Sequence, residues 1–159
     1  MEQYMNVLMQ QLMENGRKNK MEKILLKGRV AFEGSVEGEA LVCPESIQGW
    51  AGIDDHTGKI IEKGHSQEGV CISGRILVLP CSKGSNGWSC HFHSAMVKGF
   101  TPKGWIFTKL DSRAGVAATV LGVPTIADLE KDPCEVIKTG DWIKINGETG
   151  EIEITKKGE

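Results

Sequence analysis

The sequence predicts an α/β domain with a mixed β-sheet core and helices at its flanks. Three observations indicate this class. Short runs of alternating or β-branched apolar residues, which are typical of strands, recur along the chain. Two segments with helical spacing and capping residues lie between such runs. The order of the segments, which is strand, strand, loop, strand, helix, strand, helix and then three strands, is that of a mixed sheet.

Composition excludes several classes of function. The chain has 159 residues, enough for one domain with a single core, and its net charge is −2 from 19 basic and 21 acidic residues. This balance gives no indication of a nucleic-acid or membrane surface. The five cysteines are an odd number without C-x-x-C spacing, which argues against a disulfide framework or a zinc site. With no signal peptide and no long apolar run, the sequence predicts a protein of the reducing cytoplasm.

The first 20 residues are predicted to be an appendage to a domain that spans residues 21–159. Residues 2–15 have the pattern of a short amphipathic helix, with Tyr4, Leu8 and Leu12 on one face. Residues 16–20 (GRKNK) then break the pattern as a basic, polar linker. Such a segment is either a docking helix for a partner chain, or a mobile tail or over-long reading of the gene, and the behaviour of chain termini favours the second interpretation.

The domain is predicted to begin with two strands and a long loop. Residues 24–32 alternate between apolar and polar side chains, which is typical of one half-buried strand. Residues 34–42 indicate a turn and a second strand. Residues 43–69, the covering loop, are irregular, and loops of this length are usually functional or disordered. The presence of Trp50 and Ile53 favours order, and we expect this loop to fold over the loop that follows the next strand.

The next strand, loop and helix carry the first candidate for chemistry. Residues 74–79 are a β-branched and leucine run that Pro80 closes, and the serine loop, residues 81–87, follows. A helix is predicted from Trp88 to a left-handed cap at Gly99. Ser85 therefore lies near a helix N-terminus, where free N–H groups and peptide dipoles favour oxyanions and proton chemistry. The alternative is that Ser85 and Asn86 simply cap the helix in a flexible connection, and a short Gly/Ser loop taken alone favours this alternative.

The remaining elements alternate until a final hairpin. Residues 104–108 indicate a strand, and Asp111 or Ser112 can begin a helix that ends at Leu121 before Gly122. Residues 123–126 indicate a short strand. Residues 140–154 contain two alternating strands around an Asn-Gly turn signal.

Spaced motifs in the central part of the chain resemble a known family. Residues 74–80 (GRILVLP), then Lys83-Gly84-Ser85 and Ser89, are similar to the pattern G-x-x-L-V-x-P, R-G-S and S of the aconitase X swivel domain. Upstream, residues 50–54 (WAGID) and 57–61 (TGKII) resemble F/W-G-G-V-D and T-G-x-I-I-D. The motifs occur in the same order, and the similarity runs from about residue 28 to residue 154. The resemblance implies the swivelling β/β/α fold, which closes over the active sites of aconitase-like enzymes.

The resemblance also implies an activity and a partner. Members of the family are small subunits of two-chain hydro-lyases that dehydrate a small hydroxy acid, either cis-3-hydroxy-L-proline or mevalonate 5-phosphate. An iron or iron–sulfur centre is expected on the large subunit, with no cofactor bound by this chain, which is not expected to be active alone. Ser85 would be the base that removes the proton next to the substrate carboxylate, while the metal acts as a Lewis acid on the leaving hydroxyl.

Further site residues follow from the same resemblance. Lys83 replaces the arginine of the motif and keeps its charge but not its planar, two-pronged grip. Asp54 and His65 match positions in the covering loop and would contact substrate or position the loop. For Asp54, an Asx-type turn with Asp55 and Gly58 is an equally good interpretation. The predicted substrate-binding residues are Lys83, Gly84, Asn86, Ser89, Asp54 and His65.

Two other interpretations concern histidines. His91 and His93 lie two residues apart on the predicted helix, so their side chains point about 200° from each other and cannot share one metal ion. No metal site is predicted. The second interpretation is a phosphohistidine-type swivel carrier domain of a phosphoenolpyruvate-using phosphotransfer system, which shares the architecture. Its serine-histidine pair is reversed here as His93-Ser94, and Gly87-Trp88-Ser89 stands in place of its glycines, so it is the second choice.

Overall fold

The computed structural model describes residues 1–18, 21–84 and 87–158, which form one mixed eight-stranded sheet with helices beside it. The predicted α/β fold class is confirmed. The described elements in chain order are α1 (Glu2–Lys18), β1 (Lys23–Lys27), β2 (Arg29–Phe32), β3 (Ser35–Val42), α2 (Gly49–Gly52), β4 (Ile76–Leu79), α3 (Trp88–Val97), β5 (Gly104–Phe107), α4 (Ser112–Leu121), β6 (Thr125–Ala127), α5 (Pro133–Val136), β7 (Trp142–Asn146) and β8 (Glu151–Thr155).

The sheet has a parallel half and an antiparallel half that share β3. The strand order is β1-β8-β7-β3-β4-β5-β6-β2. Strands β3, β4, β5 and β6 run parallel to one another, with α3 and α4 in the connections between them. Strands β1, β8 and β7 pair antiparallel and join the sheet through β7 and β3. The carboxyl ends of β3, β4 and β5 therefore meet at one edge.

The predicted single strand over residues 24–32 is wrong, because the chain divides at Gly28 into β1 and β2. These consecutive strands lie at opposite ends of the strand order, so the sheet must curl to bring its edges together at this residue. The Gly28 N–H donates to Gly150 O at 2.9 Å. A Cβ at Gly28 would lie 2.7 Å from Ala127 O, which only a residue without a side chain permits.

Apolar side chains cover both faces of the parallel strands. All four residues of β4 and of β5 are buried, as expected for strands packed on two sides. One face packs under α3 and α4 around an aromatic cluster with ring centroids 4.6 to 6.2 Å apart, and the other face packs inside the curl of the sheet. The aromatic cluster consists of Trp88, Phe92, Trp105 and Phe107.

The C-terminal end of α3 and both ends of α4 confirm the capping predictions. Helix α3 is followed by Gly99 with φ +94°. Helix α4 has Asp111 at its N-cap and Gly122 in the left-handed region at its C-cap, with φ 64°. The short helices α2 and α5 were not predicted, because a single turn leaves too few residues for a periodic pattern.

Helix α1 is longer than predicted. It continues through Gly16 to Lys18, because one internal glycine costs only about 1 kcal/mol relative to alanine. Residues 19 and 20 of the predicted linker lie outside the described residues. The apolar side chains of Tyr4, Leu8 and Leu12 are exposed. None of the helices in the described parts of the chain has the length and apolar character needed to cross a bilayer.

Candidate functional site

The loops that follow β3, β4 and β5 meet at the carboxyl edge of the parallel half. The Cys43 N–H donates to Val78 O at 2.9 Å, and the Thr108 N–H donates to Leu79 O at 3.0 Å. These bonds extend the pairing of the strands just beyond their ends and hold the three loops side by side. In open parallel sheets this edge is where ligands bind, so its polar side chains are the first candidates for chemistry.

The described residues of the serine loop are anchored on both sides of Ser85 and Asn86, which themselves lie outside the described residues. Before them, the Ser82 N–H donates to Asp111 Oδ1 at 2.9 Å, and the Ser82 hydroxyl donates to Asp111 Oδ2. After them, the buried Trp88 donates its ring N–H to Ile47 O at 2.7 Å. The two ends of the loop are therefore fixed to α4 and to the covering loop.

Asp111 has a second role besides its predicted place at the helix N-cap. Burial acts to raise the pKa of its carboxyl group, but the hydrogen bonds from the Ser82 hydroxyl and N–H outweigh burial and lower it. The ionised carboxylate thus holds the residue that begins the serine loop. Sequence reasoning missed this contact, because 29 positions separate the two residues and no local pattern links them.

The covering loop lies against the described part of the serine loop, as expected. The Ser46 hydroxyl donates to Cys81 O at 2.5 Å, and Gln48 forms a parallel bridge with Lys83. Gly84, with φ +93°, lies so close that a Cβ there would be 3.4 Å from the Gln48 side chain. The covering loop therefore pairs with the serine loop much as a short neighbouring strand would.

An ion pair closes this junction. The Lys83 ammonium donates to Glu62 Oε1, and the Gln48 N–H donates to Glu62 Oε2 at 3.0 Å. Burial acts to raise the pKa of Glu62, but the hydrogen bonds from Lys83 and Gln48 and the charge of Lys83 outweigh burial and lower it. The Lys83 side chain remains 41% exposed, whereas that of Glu62 is 16% exposed. Glu62 was not among the predicted site residues.

His65 holds the covering loop from within. Its ring is buried, and Nε2 lies 2.6 Å from Ser46 O, while Nδ1 accepts the Gln67 N–H at 2.9 Å. Because a carbonyl oxygen can only accept, Nε2 is the nitrogen that carries the proton. The histidine thus fixes Ser46, which has a left-handed φ of 62° and contacts the serine loop. This geometry supports a loop-positioning role for His65.

Asp54 forms the turn that was its alternative interpretation. Its Oδ1 accepts the His56 N–H at 2.9 Å, and its carbonyl oxygen accepts the Gly58 N–H at 2.7 Å. The neighbouring Asp55 binds Lys98 at 2.6 Å, and hydrogen bonds from Lys98 and other side chains lower its pKa. These contacts tie the covering loop to the end of α3.

Most of the chain matches one known protein family. Residues 25–154 match the family model of the aconitase X swivel domain. The chain belongs to this family. It is 35% identical over 139 residues to the phosphomevalonate dehydratase small subunit of Methanosarcina mazei, which covers 87% of this chain and 96% of that one. The corresponding subunit of Pyrococcus furiosus is 31% identical over 134 residues, covering 84% of this chain and 98% of that one.

Solved structures give the same result. A crystal structure of aconitase X from Thermococcus kodakaraensis in its holo-form matches with a TM-score of 0.78 and 27% identity, covering 84% of this chain and 99% of that chain. A second protein, solved by NMR in solution, matches with a TM-score of 0.75 and 32% identity over 84% of this chain and 100% of that one. The family match, residues 25–154, lies wholly after α1.

The motif residues of the swivel domain differ in how deeply they are buried in this site. Lys83 and Gly84 lie at its surface, and Ser89 is buried in the first turn of α3. His91 is half-buried and His93 exposed, which agrees with their predicted separation around the helix. The matched family is the one that the sequence motifs indicated, rather than the phosphohistidine carriers.

The described cysteines form no group of three with metal-ligand spacing. Burial raises the pKa of Cys43 to about 12 and that of Cys134 to about 11. Among the described residues, the one group of three whose possible ligand atoms lie within 4.8 Å of one another is Asp54, Asp55 and His56. That group is held by the turn and by Lys98.

Proposed function

We propose that this chain is the small subunit of a two-chain dehydratase that acts on mevalonate 5-phosphate. The observation that carries the proposal is its identity of 35% and 31% with phosphomevalonate dehydratase small subunits over nearly their whole length. The dehydration of cis-3-hydroxy-L-proline, the other reaction that the resemblance implies, has no such support. In this proposal the iron or iron–sulfur centre belongs to the large subunit.

The exposed position of the serine loop supports the need for a second chain. Cys81 and Gly84 are exposed, and the Lys83 side chain is partly so, which means that this stretch faces out of the domain. A substrate at this edge would contact the swivel domain on one side and remain open to solvent on the other. A partner that covers the open side would exclude water and complete the site.

Ser85 is the proposed base in this reaction. Loss of water from a 3-hydroxy acid requires removal of a proton from the carbon next to the carboxylate, and the hydroxyl group leaves from the neighbouring carbon. A serine hydroxyl is a weak base near neutral pH and needs positive charge nearby. Lys83, two positions earlier, and the N-terminus of α3, three positions later, are sources of positive charge close to Ser85 in the sequence.

Reconstitution of the two chains tests the proposal. The chain is purified together with the large subunit encoded in the same organism, and the loss of mevalonate 5-phosphate is followed with each chain alone as a control. We expect a stable complex that dehydrates mevalonate 5-phosphate, and no turnover by the isolated small chain. Failure of the chains to associate, or turnover of cis-3-hydroxy-L-proline in place of mevalonate 5-phosphate, would overturn the assignment.

A further inference from the structure

Glu62 joins the two loops of the site through its two carboxylate oxygens. One oxygen accepts a hydrogen bond from the Lys83 ammonium on the serine loop, and the other accepts the Gln48 N–H on the covering loop at 3.0 Å. Gln48 is in turn bridged to the backbone of Lys83. The carboxylate therefore fixes the side chain of Lys83 against the same segment that fixes its backbone.

The ion pair leaves part of Lys83 available for a ligand. An ammonium group has three N–H donors, and among the described residues the side-chain acceptor in contact with Lys83 is Glu62. The Lys83 side chain is 41% exposed, whereas that of Glu62 is 16% exposed, so the open side of the pair is the cationic one. An anion that approaches the serine loop would meet the ammonium before the carboxylate.

We propose that Glu62 is a positioning residue that holds the Lys83 ammonium at the mouth of the serine loop, where its remaining donors bind an anionic group of the substrate. This inference rests on the proposed function, since mevalonate 5-phosphate carries a carboxylate and a phosphate. A free lysine side chain loses rotamer freedom when it is ordered. Because Glu62 already orders the Lys83 side chain in the folded protein, less rotamer freedom is lost when the substrate binds.

Both side chains of the ion pair differ in length from the residues in the motif patterns. Lys83 stands where the motif pattern has arginine, and Glu62 stands where the pattern T-G-x-I-I-D ends in aspartate. Lysine has a shorter reach than arginine, and glutamate is longer than aspartate by one methylene group. Lys83→Arg lengthens one partner of the pair and Glu62→Asp shortens the other, so the double variant keeps about the same combined length. This gives the experiment a natural rescue variant.

Steady-state kinetics of the two-chain complex tests the inference with four variants: Glu62→Gln, Glu62→Asp, Lys83→Arg and the double variant Glu62→Asp/Lys83→Arg. We expect Glu62→Gln to raise KM for mevalonate 5-phosphate about tenfold or more, the range for a charge-assisted hydrogen bond, while kcat changes much less. Each single length change should also raise KM, and the double variant should recover to within about threefold of the wild type. A purely structural residue would lower the melting temperature and would show no such rescue in KM.

A matched control is available on the other half of the sheet. Lys23 Nζ and Glu153 Oε1 lie 3.2 Å apart in a surface ion pair. Glu153→Gln breaks this pair and should leave KM unchanged. The dissociation constant of mevalonate 5-phosphate, measured by calorimetry in the same complexes, separates this inference from the proposed function. Weaker binding by Glu62→Gln supports positioning even if the wild type shows no turnover. Equal KM and equal dissociation constants for Glu62→Gln and the wild type would overturn it.

Discussion

The two halves of the sheet are built from different kinds of strand and are stabilised differently. In the antiparallel half, β7 alternates between exposed and buried residues, and a short turn joins it to β8. In the parallel half, β4 and β5 are buried throughout, and long connections leave from their carboxyl ends. The hairpin of the antiparallel half is joined by a regular backbone ladder. The connections of the parallel half are joined by scattered backbone bonds and by side chains.

This difference indicates which half of the sheet can hold the polar groups of a functional site. In a backbone ladder the N–H and C=O groups bond to each other, so they are not available to bind a ligand. The loops at the carboxyl edge are held by a few backbone bonds together with single side chains such as Asp111, Glu62 and His65. Each of these side-chain contacts can be removed by one substitution, so the comparison can be tested residue by residue.

The largest effect is expected from Trp88→Ala. Trp88 lies in the aromatic cluster and binds the covering loop through its ring N–H, so its loss should lower the free energy of unfolding by about 3–5 kcal/mol. Ile143→Ala in the antiparallel half should cost about 2–5 kcal/mol. Urea denaturation measures both variants.

The two variants should differ in activity more than in stability. At a temperature where both are folded, Trp88→Ala should also lower the turnover of the two-chain enzyme, whereas Ile143→Ala should not. Trp88→Phe keeps an aromatic ring and removes the N–H bond to Ile47, and it should lie between Trp88→Ala and the wild type. Equal loss of turnover in Trp88→Ala and Ile143→Ala would show that the two halves are not functionally distinct.

A smaller effect is expected from Asp111→Asn. The carboxylate accepts the hydroxyl and the N–H of Ser82, and an amide of the same size loses the charge and one acceptor. The expected loss in the free energy of unfolding is about 1–3 kcal/mol. Hydrogen exchange should become faster at the Ser82 amide and stay unchanged at the ladder amides of β7. Unchanged exchange at Ser82 would mean that the loop is held by other contacts.

The smallest effect concerns acid pH. The folded state lowers the pKa of Asp111 and of Glu62 below their ordinary values of 3.8 and 4.5. A carboxyl group with a lowered folded-state pKa contributes stability that is present above its ordinary pKa and is lost as pH falls through the lowered value. The stability difference between the wild type and Asp111→Asn should therefore shrink as pH falls below about 4. A difference that stays constant down to pH 2 would contradict the ionised role of Asp111.

The sequence predicted the strands and helix ends with local signals better than it predicted the closure of the sheet. The final hairpin, the strand before the serine loop and both caps of α4 were located from alternation, Asn-Gly and Gly122, because these signals are local. The division at Gly28 was missed, because apolar residues alternate on both sides of it. Only the closure of the sheet puts β1 and β2 at opposite ends of the strand order.

The site was predicted in part. The length and composition of the covering loop predicted that it folds over the serine loop, and the structure shows their described residues in contact. The sequence did not indicate that Glu62 and Asp111 hold the serine loop, because both contacts join residues far apart in the chain. The turn at Asp54 could be predicted from Asp-Asp and Gly58, but the choice between a turn and a substrate contact required coordinates.

The central claim is that the serine loop at the carboxyl edge carries the proton chemistry, and kcat of Ser85→Ala against Ser89→Ala tests it most directly. In the reconstituted enzyme, Ser85→Ala should lower kcat by about 10²-fold or more, while melting and subunit association stay near wild type. Ser89→Ala removes a buried hydroxyl in α3 and should affect kcat much less. Near-normal kcat for Ser85→Ala, or a loss matched by loss of association, would show that the serine is structural and that the base lies in the large subunit.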